Sequence, residues 1–219
     1  MITYTTRCLV TTLLIFSVLL PSLFAQAYAK PPLIDAVNKK YGKHAKNRFI
    51  FMNKTLDELR SGSDMKKLNG VNNFFNDVRY ASDLKVYKVK DYWATPWEFL
   101  GKDLGDCEDY VISKYFALRD LGVDSQKLYF SYVKSRRFKA PHMVLTYFKT
   151  PRSIPLVLDN NNFKIFPANK RKDLIPIYNF NGESLYLAKK KGQQGKKVKK
   201  NKAHKKWDKL LNDIKNNKI

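Results

Sequence analysis

The sequence predicts an α+β protein. Apolar residues recur at spacings of three and four up to about residue 121, which is a helical period, and alternating or β-rich runs follow from residue 128. Hydrophobic residues make up 44% of the 219 and aromatics 14%, enough apolar material for one packed domain despite a high charge. No internal repeat interrupts the order of helices first and strands later.

The N-terminus reads as a secretory signal over residues 1–29. Arg7 precedes an apolar run, Leu9–Phe24, broken by Pro21, and two small-x-small sites follow, Ala25-Gln26-Ala27 and Ala27-Tyr28-Ala29. The run is shorter than the roughly 20 residues a spanning helix needs. Cleavage would place the body, residues 30–188, in the periplasm. It would also remove Cys8, leaving Cys107 as the single cysteine and no internal disulfide.

Three helices are expected before residue 101. Phe49, Met52, Leu56 and Leu59 line one face of 45–60. Met65, Leu68, Val71 or Asn72, Phe75 and Val78 line one face of 64–79. Thr95-Pro96-Trp97-Glu98 has the form of a helix start, with Thr as cap, Pro in the first position and Glu reaching back to the cap. Trp93 and Trp97 read as core residues, and Tyr80–Lys90 as an irregular connection. A fourth helix spans Asp106–Leu121, capped by Asp106, with Val111, Tyr115 and Leu118 on one face and Gly122 to end it. Strands are expected over Leu128–Val133, Met143–Phe148 and Pro155–Leu158.

Lys plus Arg is 42 against 19 Asp plus Glu, a net charge of +23. About half of that excess lies in residues 189–219, which hold 13 lysines and only Asp208 and Asp213 as acids. Lys189–Lys206 reads as a disordered low-complexity run, followed by a short amphipathic helix carrying Trp207, Leu210, Leu211 and Ile214. Such a tail either adsorbs to an anionic surface or is a solvated appendage. An exported chain with its charge in a tail is not read as a nucleic-acid binder. No G-x-G-x-x-G or G-x-x-x-x-G-K-[ST] supports nucleotide binding, and His44 and His204 sit in lysine-rich stretches with no zinc-type cluster.

One set of residues suits nucleophilic catalysis. Cys107 opens a predicted helix, where the dipole and free N–H groups favour a thiolate. His142 begins a strand, and Asp159 ends the next one, at a sheet edge from which a carboxylate can orient an imidazole. Asp106, Glu108 and Asp109 crowd the thiol, and three carboxylates oppose its ionisation. A hard cation such as calcium would relieve the conflict; alternatively, Asp106 and Asp109 are simply the acidic cap of the helix.

The motifs Tyr92-Trp93-Ala94-Thr95-Pro96-Trp97-Glu98, Gly105-Asp106-Cys107-Glu108-Asp109-Tyr110, Pro141-His142-Met143-Val144-Leu145 and Leu158-Asp159-Asn160, in this order, resemble the bacterial transglutaminase-like cysteine proteinases. The resemblance implies a papain-like or transglutaminase-like fold. Its helical lobe comes first, with the nucleophile at a helix start packed on an antiparallel sheet. It implies Cys107 as nucleophile, His142 as base then acid, and Asp159 as orienting residue. It also implies a Ca2+ site at Asp106, Glu108 and Asp109. It implies as substrate a large repeat-containing surface adhesin, cut near its N-terminus at an Ala-Ala pair to release biofilm, and an inner-membrane cyclic-di-GMP receptor as inhibitory partner. Acyl transfer to an amine by the same triad, and a non-catalytic protein binding anionic surfaces, remain open alternatives.

Overall fold

The computed structural model describes residues 28–181, 185–189, 191–198 and 202–219. The expected signal segment and Cys8 lie outside these residues, except for Tyr28 and Ala29. Those two pack into the core: the Tyr28 ring meets Trp97 edge-on at 5.6 Å and its hydroxyl donates to the Ser113 carbonyl at 2.9 Å. Tyr28 and Ala29, which the sequence reading places in the signal segment, are thus part of the packed core. No helix among the described residues is long and apolar enough to cross a membrane.

The helical lobe comes first. Helix α1 (Pro31–Tyr41), helix α2 (Lys43–Leu59) and helix α3 (Asp64–Asn76) are amphipathic, and each buries one stripe. Phe49, Met52, Leu56 and Leu59 are buried as the spacing predicts, whereas Met65 is exposed and the stripe of α3 starts at Leu68. The segment read as irregular instead holds strand β1 (Arg79–Tyr80) and helix α4 (Asp83–Tyr87). Helix α5 (Pro96–Lys102) carries the expected capping box: Thr95 accepts from the Glu98 N–H at 3.1 Å and Glu98 accepts from the Thr95 N–H at 3.0 Å.

After the two-residue strand β2 (Leu104–Gly105), parallel to β1, comes helix α6 (Cys107–Asp120). Every residue from Glu108 to Leu118 is buried, because α6 lies between the helical lobe and the sheet. Gly122 follows it at φ +82, the left-handed position that stops the helix.

The sheet has seven antiparallel strands: β3 (Leu128–Ser135), β4 (Pro141–Tyr147), β5 (Leu156–Leu158), β6 (Phe166–Pro167), β7 (Leu174–Phe180), β8 (Leu185–Ala188) and β9 (Gln194–Val198). Their spatial order is β6-β5-β4-β3-β7-β8-β9. Met143, Leu145 and Tyr147 of β4 face the helices, while Val144 joins Val133 and Val157 in a small cluster on the far face. This is the period-two alternation legible in the sequence.

The described part of Lys189–Lys206 departs from the expected disordered run, while the amphipathic helix expected after it is present. Gln194–Val198 forms the edge strand β9, and helix α7 (Lys202–Lys215) inserts Trp207 and Leu210 into the main core. The spacing of Trp207, Leu210, Leu211 and Ile214 is the face that docks. Its apolar residues outweigh the lysine content in deciding where the segment goes.

Candidate active site

Cys107 is the first residue of α6, with Asp106 as the cap. Asp106 and Asp109 form a capping box, and Asp109 also accepts from the Ala94 N–H at 2.9 Å. The acidic-cap reading is therefore correct as far as it goes. The Cys107 sulphur faces Glu108 Oε2 at 3.1 Å. Burial pushes the thiol well above its ordinary range. Glu108 and Asp106 push the same way, while the Met143 N–H next to His142 opposes them.

His142 sits at the start of β4, opposite Val133 of β3. Asp159 follows the last residue of β5, which pairs with β4. The imidazole Nε2 meets Asp159 Oδ1 at 2.8 Å, which leaves Nδ1 for proton transfer. A cavity of about 490 Å³ is lined by Cys107, His142, Glu108, Met143, Tyr132 and Tyr80, so thiol and imidazole open onto one space. The three sequence-predicted residues thus converge from the start of α6, the start of β4 and the end of β5.

Asp159 is almost completely buried. Arg171 Nη2 donates to its Oδ2 at 2.7 Å, the Asn161 N–H to its Oδ1 at 2.9 Å, and Asn76 Nδ2 to its main-chain oxygen at 3.0 Å. Burial alone would raise this carboxyl. The hydrogen bond and electrostatic pull of His142, with the Asn161 N–H and Arg171, outweigh it and hold the group at about 2. Asp159 is therefore a carboxylate at neutral pH, an acceptor for the imidazole N–H.

The three carboxylates expected to hold Ca2+ fall into two overlapping groups. Asp106 belongs to two groups whose candidate ligand atoms lie within 4.8 Å of one another: one with Cys107 and Glu108, the other with Asp83 and Asp109. Asp83, at the start of α4, was missed because its segment read as irregular. Burial, then the Asp106 charge, raises Asp83 to about 6; burial, then Glu108, raises Asp106 to about 8. Asp83 Oδ1 and Asp106 Oδ1 are buried without a hydrogen-bond partner in the protein. Unpartnered carboxylate oxygens in a crowd of like charge fit a hard divalent cation.

Arg171, Asn76 and Lys114 were given no role, since each reaches the site by a long-range contact.

The family model described as bacterial transglutaminase-like cysteine proteinase, BTLCP, matches residues 41–173, a span that includes Cys107, His142 and Asp159. The chain belongs to the bacterial transglutaminase-like cysteine proteinases. The calcium-bound LapG of Legionella pneumophila is 37% identical over 83% of this chain and 97% of its own, with a TM-score of 0.72. An EGTA-treated structure of the same protein is 36% identical over 85% of this chain and 98% of its own, also at 0.72. Comparison with curated proteins gives no match. The fold is accordingly the transglutaminase-like protease fold, helices packed on a curled antiparallel sheet.

Proposed function

We propose that the chain is a calcium-dependent cysteine endopeptidase of the periplasm, with Cys107, His142 and Asp159 as its triad. The observation that carries this reading is the 2.8 Å His142–Asp159 contact beside a cavity that Cys107 also lines. Asp159 fixes the imidazole with its Nε2–H bound, so Nδ1 takes the thiol proton. The thiolate then attacks the scissile carbonyl carbon. The Cys107 N–H, at the first position of α6, lacks an acceptor four residues back and would donate to the developing oxyanion. The imidazolium returns its proton to the leaving amine, and water hydrolyses the thioester.

Asp106, with Asp83 and Asp109 or with Glu108, would hold Ca2+. When bound, the ion cancels the carboxylate charge that otherwise opposes the Cys107 thiolate. LapG is known in calcium-bound and EGTA-treated forms, which supports this assignment here.

The family resemblance points to a large repeat-containing surface adhesin as substrate, cut near its N-terminus at an Ala-Ala bond to control attachment and biofilm. An inner-membrane cyclic-di-GMP receptor would be the inhibitory partner. Export would rest on a signal cut after Ala27, which keeps the buried Tyr28 in the mature chain.

The test mixes the protein with the host's adhesin N-terminal region, with calcium or EGTA. Wild-type protein should give one cut at the Ala pair, EGTA should reduce it, and Cys107→Ala should abolish it. Cleavage persisting in Cys107→Ala would overturn the reading.

A further inference from the structure

We propose that Lys114 is a positioning residue for the Cys107–His142–Asp159 site: through Asn76 it locks the nucleophile's helix to the segment carrying Asp159. The inference rests on the triad reading given above.

Lys114 is only 1% exposed, among the most deeply buried side chains of the protein. Its Nζ donates to Asn76 Oδ1 at 2.6 Å and to Asn72 Oδ1 at 2.9 Å. Both partners are neutral amides on α3. Asn76 then uses its Nδ2 to hold the Asp159 main-chain oxygen at 3.0 Å, and Asp159 holds His142 at 2.8 Å. Lys114 follows Cys107 by two helical turns, about 10 Å along the same face of α6. The chain Lys114–Asn76–Asp159–His142 therefore ties the helix that presents the thiol to the group that aims the imidazole.

A buried ammonium held by amides is costly, and an apolar residue of similar length usually serves packing better. Burial lowers Lys114 to about 7, and the negative charge of Asp159 opposes that fall, so the two groups interact electrostatically. The ammonium orients both amides: with their oxygens turned to Lys114, the Asn76 N–H group must face Asp159.

The discriminating variant is Asn76→Asp. It is isosteric and offers Lys114 a carboxylate, so the fold is kept, but it cannot donate to the Asp159 carbonyl. Two readouts are used: hydrolysis of a fluorogenic peptide containing an Ala-Ala bond, and alkylation of Cys107 by iodoacetamide at pH 7, followed by peptide mass. Asn76→Asp should lower kcat roughly tenfold or more with KM within about twofold. It should slow alkylation about fivefold and lower the melting temperature by no more than a few degrees, the cost of leaving the Asp159 carbonyl without its donor. Lys114→Met should move both readouts the same way; if it fails to fold, Asn76→Asp decides alone. Wild-type kcat and alkylation rate in a folded Asn76→Asp protein would overturn the proposal. If wild-type protein cleaves no peptide but Asn76→Asp still slows alkylation, the protease reading fails and the positioning role stands.

Discussion

Asp159 joins the base to its support through both carboxylate oxygens. One carboxylate oxygen meets His142 and the other meets Arg171, whose second carboxylate partner is Asp173. Asp159→Asn keeps the shape but can present an N–H to the imidazole and stabilise the wrong tautomer. By analogy with triads of this kind, kcat should fall by about a hundredfold or more. Steady-state hydrolysis of the Ala-Ala peptide checks this, and a loss under about threefold would mean Asp159 does not orient the base. Cys107, His142 and Asp159 stood out in the sequence as one candidate set because each sits at the end of an element whose pattern is visible, and the family resemblance supplied their roles. Their supports did not. Asn76 and Asp159 are 83 residues apart in sequence, and Lys114 and Asn76 are 38 apart. A buried lysine or asparagine has no local pattern that distinguishes it from a surface one.

At the scale of elements, the stretch that least resembles its sequence reading is the lysine-rich C-terminus. Trp207 of α7 stacks on Phe116 at 5.8 Å and meets Phe130 and Tyr115 edge-on at 5.2 and 5.4 Å. The same helix and the residues after it reach the loop before α5: Lys206 of α7 ion-pairs with Asp91, and beyond the helix Lys218 Nζ donates to the Tyr92 hydroxyl at 2.6 Å. That loop supplies the Ala94 N–H held by Asp109, so α7 braces a segment in contact with the acidic cluster. Trp207→Ala should cost roughly 3–5 kcal/mol. In a chain of this size that is about 10 °C of melting temperature. Thermal denaturation by circular dichroism measures it; an unchanged transition would mean α7 is an appendage. The amphipathic spacing of α7 was readable, but its destination was not, because spacing shows which face is apolar and not what it meets. Strand β7 escaped notice for a different reason. Pro176 interrupts it, and proline usually argues against an inner strand. Here Pro176 lies opposite Val133, where the β3–β7 register shifts, so the missing N–H falls at an irregularity.

For the whole molecule, the acidic cluster links protonation, cation binding and stability. Asp83 and Asp106 are raised to about 6 and about 8 by burial and by neighbouring negative charge, against an ordinary carboxyl near 4. A carboxyl whose folded value is raised binds more protons folded than unfolded. Stability then falls as pH rises from about 4, where the unfolded groups ionise, to about 8. Asp159, held at about 2, works in the opposite sense and loses its contribution only as pH falls below about 4. Between pH 5 and pH 8 the raised pair outweighs Lys114, which burial lowers to about 7 and whose contribution to stability rises with pH only above that value. In EGTA the melting temperature should decline across this range, and the decline should flatten in Asp83→Asn, which removes one of the crowded charges. Calcium binds the ionised carboxylates, so the stabilisation from millimolar Ca2+ should be smallest near pH 5 and largest near pH 8. Calorimetric scans at each pH, with EGTA or calcium, measure both trends. A calcium increment that does not change with pH would show that the ion binds away from Asp83 and Asp106, and the electrostatic reason for placing it beside Cys107 would be lost.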